Sequence, residues 1–317
     1  MSSNVPSRKH YVAPVTSAQV TVDAIRIDEK PSNLWLDAWR DLRRRPMFWI
    51  SSAFVVLLVV VAVAPTLFSS FPPAGPQACN LSLSNAGPQP GHPLGFTRQG
   101  CDVWSRIVWG TRTSLTVGLL ATAIGTVIGV IMGALAAFYG GWLDSLLSRI
   151  GDIFFTIPYI IAAVVVMTVL SDFRNELTLA FAIGGFSWAS TARIMRAEVL
   201  RVKQADYVMG SIALGLSRFK TLVVHVLPNA MAPVIVVSTI ALGLAIVAEA
   251  TLSFLGVGLG SSVMSWGNDI SQAQTTIRTA PLTLIYPSIA LTVTVLAFIT
   301  LGELLRDALD PKARAQR

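Results

Sequence analysis

The chain has 317 residues, of which 53% are apolar and only 13% charged, about half the charged share of an ordinary soluble domain. A mean hydropathy of +0.63 is too high for a single anchor, which excludes a typical soluble enzyme and leaves an all-α, polytopic membrane protein. The net charge of +7 does not point to nucleic acid, because the basic residues lie between the apolar runs rather than on one polar face.

In chain order, residues 1–31 are polar and aperiodic, carry Pro6, Pro14 and Pro31, and are expected to form a disordered cytoplasmic tail. Ser32 then caps a short interfacial elbow helix over residues 32–46, with Leu34, Trp35, Ala38 and Leu42 set against the membrane surface. About 30 Å of hydrocarbon needs about 20 mostly apolar residues, and six stretches meet or approach that length. The first span is 47–68, followed by an extracytoplasmic loop at 69–112. A core of five spans over 113–302 comprises stretches within 113–139, 153–171 and 177–192, one at 229–254 and one between 278 and 303. The fourth is short and relies on Glu176 and Arg193 snorkelling to the interface. Residues 250–268 are uncharged too, but their Gly and Ser content suits a loop or re-entrant segment.

Six crossings put both termini on one side. The segments then assigned to the cytoplasm, 1–46, 139–152, 193–228 and the tail 303–317, hold 19 of the 24 Lys and Arg residues. Both termini are therefore expected inside, their charges facing anionic lipid headgroups.

Within the spans, Gly125, Gly129 and Gly133 recur every four residues. Such a stripe lets a neighbouring helix, of this chain or of a partner chain, approach closely. Glu249 is the only acid well inside an apolar run, near the outer end of the fifth span. An ionisable group there is a functional candidate, foremost as a hydrogen-bonded gate or packing residue and next as a pore contact. The two cysteines, Cys79 and Cys101, have no metal-site spacing, and no metal is expected. Both fall in the 69–112 loop, outside, where disulfides persist. A bridge would close a Pro- and Gly-rich loop of about 22 residues, worth about 3 kcal/mol by chain entropy. The three histidines, His10, His92 and His225, lie in separate segments with no catalytic partner spaced to them. No G-x-x-x-x-G-K-[ST] sequence occurs, so the chain is not expected to be an enzyme or to bind a nucleotide or cofactor of its own.

The loop at 193–228 is long yet patterned. Tyr207, Gly210, Ser211 and Leu214 share one face of a short helix; Gly215 ends it, Ser217 caps a second, and Pro228 stops that one. Two short helices joined at a glycine, with an exposed apolar face, suit insertion into a groove on a soluble partner.

This loop resembles that of the inner-membrane permease subunits of ABC importers, specifically the C-type subunit of the dipeptide/oligopeptide type. Their coupling motif reads Glu-Ala-Ala, three residues, Gly, nine residues, Ile, one residue, Leu-Pro. Gly215, Leu227 and Pro228 stand at the matching spacing, while Met209, Gly210 and Ser211 replace the Glu-Ala-Ala triplet and His225 the Ile. HPLGFTRQGCDVWSRIVWGTRTSL is similar to another family stretch, with Phe96 and Thr97 at its Thr-Asp positions and Cys101 where Arg is usual. YGGWLDSLLSRIGDIFFTIP, EATLSFLGVGLGSSVMSWGNDI and GELLRDALDP match family segments in the same order.

The resemblance implies a type I ABC importer permease fold in a bacterial inner membrane. Asp206, Tyr207, Met209, Gly210, Ser211, Ala213, Leu214, Gly215, Leu227 and Pro228 would form the ATPase-coupling segment. The implied partners are a sister permease subunit in a heterodimer, two ATP-binding subunits that use ATP and Mg, and an extracytoplasmic substrate-binding protein. Peptide, nickel-chelate, haem and glutathione importers share this architecture. The main alternative is a secondary transporter, disfavoured by the lack of internal repeats; an ion channel, suggested by the Gly-rich residues 256–260, leaves the cytoplasmic loop unexplained.

Overall fold

The structure, a computed structural model, describes residues 34–69 and 79–309. The expected tail at 1–31, the Ser32 cap and the last eight residues lie outside them. Among the described residues there is no β-strand, only isolated bridging pairs in the loop after the first long helix, as lipid-spanning backbone with internally paired polar groups requires.

A short amphipathic helix, α1 (Leu34–Leu42), leads through Arg45 into α2 (Pro46–Val63). The expected inner face of α1 is corrected here. Ala38 and Leu42 do not face lipid; they are buried against Ala308 and Leu309 at the far end of the chain, while Trp35 and Trp39 are exposed. Arg45 fixes this corner, donating to Asp41 at 2.7 Å and Asp307 at 3.0 Å. The first span also ends earlier than 68: the α-helix stops at Val63, and Pro65, which cannot donate to a continuing ladder, opens a short 3-10 turn.

After the loop comes the longest helix, α3 (Val103–Tyr139), 37 residues. It starts ten residues before the apolar stretch because Asp102 caps it, accepting from Ser105 N–H at 2.8 Å. Next, α4 (Gly141–Thr156) and α5 (Tyr159–Val169) replace the expected straight third span with a pair bent by 83°. The cause is Pro158: the residue before it, Ile157, is held extended at φ −81°, ψ 119°. α6 (Glu176–Val202) contains the fourth stretch and continues past it by ten residues.

The residues of the expected cytoplasmic loop form α7 (Asp206–Ala213) and α8 (Arg218–Thr221), followed by a π-helical turn and α9 (Leu227–Phe254). Pro228 does not stop the helix. The wider turn at 222–226, closed by Leu227 N–H on Leu222 O, relieves the clash a proline ring makes with the preceding turn of an α-helix, so 218–254 runs through. Residues 255–265 then turn back into a short helix, α10 (Trp266–Ala273), which lies on α3, α9 and α11 (Leu282–Leu309). The stretch at 250–268 is thus a helix end and a re-entrant turn, not a further span. Among the described residues four helices, α2, α3, the 218–254 helix and α11, are long and apolar enough to cross a membrane, or five if the bent pair counts as one span.

The centre of the bundle is the contact between α3 and α6. A Cβ added to Gly129 would stand 2.7 Å from Thr191 Cβ and 2.9 Å from Trp188 O; at Gly125 it would stand 2.9 Å from Ser187 Oγ, and at Gly133 2.9 Å from Met195 Cβ. The glycine stripe therefore packs within this chain, and the two backbones approach more closely than any side chain on it would permit. Replacing Gly129 with Val should separate these helices at a cost of about 1–3 kcal/mol or more. The expected readout is a lower melting temperature and a several-fold lower yield of monodisperse protein in detergent. Unchanged melting would mean that the contact is not tight.

Candidate functional site: the coupling segment, a membrane cavity and a buried acid cluster

The segment expected to couple to an ATPase is built outward from the core. Lys203, just past α6, donates to Ala137 O at 2.6 Å, satisfying a carbonyl in the last turn of α3. Arg196 grips Asp144 of α4 through two bonds of 2.6 and 2.7 Å, the bidentate geometry that makes such pairs strong. Val208 of α7 is fully buried with Val199, Val202, Leu222 and Val226. That anchor leaves the other side of α7 without cover: Tyr207, Met209, Ile212 and Leu214 are exposed, Leu214 at 84%, and Phe219 of α8 extends the patch.

Most of the expected coupling residues come together on this surface. Asp206, Tyr207, Met209, Gly210, Ala213, Leu214 and Gly215 are exposed. Ser211 is not among them; it is buried, its hydroxyl donating to Val208 O at 2.8 Å. Helical spacing puts 207, 211 and 214 on neighbouring positions, but the inward pull of Val208 rotates Ser211 to the core side. Leu227 and Pro228 sit a helix away at the base of α9, where the Asn229 side chain donates to His225 O at 2.7 Å. Gly215 has φ +89°, a left-handed conformation that side-chain-bearing residues rarely take. Ser217 caps α8 by accepting from Lys220 N–H at 3.3 Å.

Within the membrane region, a cavity of about 340 Å³ opens between α3, the Pro158 bend, α6 and α9. Its walls are apolar apart from hydroxyls, including those of Thr122, Thr126, Tyr159, Ser187 and Ser190. Charged side chains do not line it. Sequence reasoning missed it because each contributing helix reads as an ordinary apolar span; the Ser and Thr residues of α3 and α6 were the available signal.

Glu249 is fully buried. Ser114 of α3 donates to one of its carboxylate oxygens and Ser253 to the other, each at 3.0 Å, with the Ser265 hydroxyl as a third partner. Ser265 is also the N-cap of α10, accepting from Asn268 N–H at 3.2 Å. Trp266 donates to Ser114 Oγ at 3.3 Å and, through its indole N–H, to Ile107 O at 3.1 Å. The acid thus ties α3, α9 and the start of α10 together and makes no contact with the membrane cavity. In the loop above, Cys79 and Cys101 are disulfide-bonded, and Arg98 from the same loop donates to Thr275 Oγ1 at 3.1 Å. Among the described residues no group of His, Cys, Asp or Glu is placed to hold a metal ion.

An apolar helical bundle, a hydroxyl-lined membrane cavity and an exposed helix-glycine-helix segment define a transport permease. The chain belongs to the family of binding-protein-dependent transport system inner membrane components, matched over residues 125–315, and within it to the dipeptide/oligopeptide type. Residues 33–88 match the N-terminal transmembrane domain of oligopeptide transport permease C. Among its relatives, the glutathione transport system permease protein GsiD of Pectobacterium atrosepticum is 34% identical over 93% of this chain and 96% of its own. The oligopeptide transport system permease protein OppC of Bacillus subtilis is 33% identical, covering 92% and 94%. The dipeptide transport system permease protein DppC of Alkalihalophilus pseudofirmus is 32% identical, covering 89% and 91%. A solved inward-facing conformation of the MetNI methionine ABC transporter superposes with a TM-score of 0.53 at 20% identity, over 64% of this chain and 96% of that one, which shows a shared fold. In this family the chain is a transport permease subunit and the ATPase is a separate subunit.

If Glu249 is a structural tie, Glu249→Leu should strand three buried hydroxyls at about 1–3 kcal/mol each and lower the melting temperature sharply, whereas Glu249→Gln keeps hydrogen-bonding atoms in place and should melt closer to wild type. Equal melting of the two variants, with transport lost in both, would instead assign the acid to the transport step.

Proposed function

We propose that the chain forms one half of the translocation pathway of an ATP-driven importer of di- or oligopeptides. The observation that carries this reading is the exposed apolar face of α7 around Gly215, anchored by Val208 and left uncovered among the described residues. A soluble protein gains nothing from displaying Tyr207, Met209, Ile212 and Leu214 together; a groove on an ATPase subunit would bury them. Asp206 supplies one acid to this face where the family's Glu-Ala-Ala triplet is replaced, and Arg218 and Lys220 supply cations beside it.

The same reading has α6 as the remaining span, completing six crossings with both termini cytoplasmic and the 79–101 bridge outside, in a bacterial inner membrane. The elbow, the loop at 69–112 and the core at 113–302 then keep their expected sides. A sister permease would close the membrane cavity from the opposite side, two ATP-binding subunits would use ATP and Mg, and an extracytoplasmic binding protein would deliver the peptide. Hydroxyls without charge in the pathway suit a substrate of varied side chains, since main-chain groups can be met by Ser and Thr while nothing selects one charge. The names of the relatives, oligopeptide, dipeptide and glutathione permeases, fit that class.

Leu214→Asp and Gly215→Pro should each abolish ATP-driven uptake while the protein still inserts, and Leu214→Asp should also lose ATPase subunits on affinity purification of the complex. Normal co-purification together with unchanged uptake in both variants would contradict the assignment.

A further inference from the structure

The corner where α1 turns into α2 has a packed inner side and an uncovered outer side. Inside, Ala38, Leu42 and Phe48 are buried with Ala232 and Val236 near the start of α9 and with Ala308 and Leu309 at the end of α11. Outside, Trp39, Met47, Trp49 and Ile50 are exposed. Trp39 and Trp49 form one cluster with Phe48, whose ring centroid lies 5.9 Å from the first and 5.7 Å from the second. The Trp49 indole N–H donates to Arg43 O at 3.0 Å, which sets the cluster against the turn that carries Arg43 and Arg44.

The cations of that turn are a second, independent observation. Elsewhere in the molecule Arg106 is paired with Asp269, Arg193 with Asp152, Arg196 with Asp144 and Arg201 with Glu198. At the corner itself Arg40 pairs with Asp37, and Arg45 with Asp41 and Asp307. Arg43 and Arg44 are exposed and have no acidic partner among the described residues. Two adjacent guanidinium groups therefore share a turn with two exposed indoles.

Depth decides what can cover such a surface. α2 has 18 residues, a rise of about 27 Å, close to the about 30 Å of a hydrocarbon core. With α2 across that core, Pro46 lies at its edge and the Arg43–Arg44 turn in the headgroup layer, the level at which Trp rings gather. Acids of a soluble partner would neutralise the cations but leave Trp39 and Trp49 uncovered at the edge of the acyl chains. A lipid of negative charge answers both needs at once.

We propose that the α1–α2 corner binds one anionic phospholipid, its phosphate held by Arg43 and Arg44 and its glycerol and upper acyl segments lying on Trp39 and Trp49. Guanidinium forks suit a phosphate diester, and a zwitterionic lipid would bring an ammonium group toward the same cations. The bound lipid closes the outer side of a corner whose inner side already joins the first span to the last helix, and so holds α1 and α2 against α9 and α11. The site rests on the chain's place in a membrane and not on what is transported.

The test uses the full chain purified in a maltoside detergent and titrated with phosphatidylglycerol, read by native mass spectrometry as retained lipid and by the melting temperature. A single saturable adduct is expected at low lipid, with a rise in melting temperature that phosphatidylcholine does not reproduce. Arg43→Gln/Arg44→Gln should weaken binding about thirtyfold, the scale of two surface cations facing anionic lipid, while Arg149→Gln/Arg278→Gln, which removes the same charge from two other exposed positions, should change it less than about twofold. Trp39→Ala/Trp49→Ala should weaken it several-fold. All six side chains are exposed, so the variants keep the fold. The proposal is overturned by the absence of a saturable adduct, by equal affinity for phosphatidylcholine, by equal weakening in the two arginine double variants, or by full binding in the tryptophan variant. It is also overturned if inorganic phosphate alone reproduces the melting shift, which would make the corner an anion site without a lipid.

Discussion

The arrangement depends on how closely α3 and α6 approach along Gly125, Gly129 and Gly133. In lipid, helices gain no hydrophobic energy by leaving an already apolar solvent, so association relies on dense van der Waals contact and internal hydrogen bonds. Removing side chains from one helix lets Thr191, Met195 and the Trp188 carbonyl of the other lie against bare backbone. The cavity opens beside this contact, with Ala121, Thr122, Gly125 and Thr126 of α3 and Ser187 and Ser190 of α6 in its wall. The coupling segment hangs from the same pair, since Lys203 bonds the end of α3 and Arg196 fixes α4 beside it. In the proposed coupling role, a push on α7 would reach α6 through packed side chains, Val208 against Val199 and Val202.

The two ends of the bundle solve the problem of polar groups differently. At the coupling end, charges are paired where water can reach them, and such pairs position elements more than they stabilise them. At the other end, Glu249 and the Arg106–Asp269 pair are buried, and burial of that kind is tolerable only with hydrogen bonds on nearly every atom. Three hydroxyls, one of them from the N-cap Ser265, surround Glu249 for that reason. The price is that α10 is locked to α3 and α9, leaving the coupling segment as the part with exposed, replaceable contacts.

Much of this was legible in the amino-acid order, and the failures have physical causes. The glycine spacing gave the helix contact but not its partner, because a stripe says nothing about what lies on it. The break at Gly215 was readable since Gly is the residue that takes φ +89° without strain. Pro158 and Pro228 were misjudged in opposite directions. Pro158 bends its span by 83°, although a run of apolar residues hides it from a count of hydropathy; Pro228 fails to end its helix because a π turn makes room for the ring, a backbone adjustment with no sequence mark. Ser211 went to the core because Val208 decides the rotation of α7, a tertiary effect invisible to local periodicity. Asp269 and Arg106, 163 positions apart, could be joined only by the fold.

The central claim is that the exposed face of α7 is the docking surface for an ATPase subunit, and protection of a single thiol tests it most directly. The native cysteines are bridged, so Leu214→Cys introduces the one free thiol. In inverted vesicles its rate of modification by a maleimide is compared before and after the peripheral subunits are stripped with urea. Stripping should raise the rate by at least about tenfold, as expected for a side chain buried at the centre of an interface. Equal rates with the subunits present and absent would contradict the account.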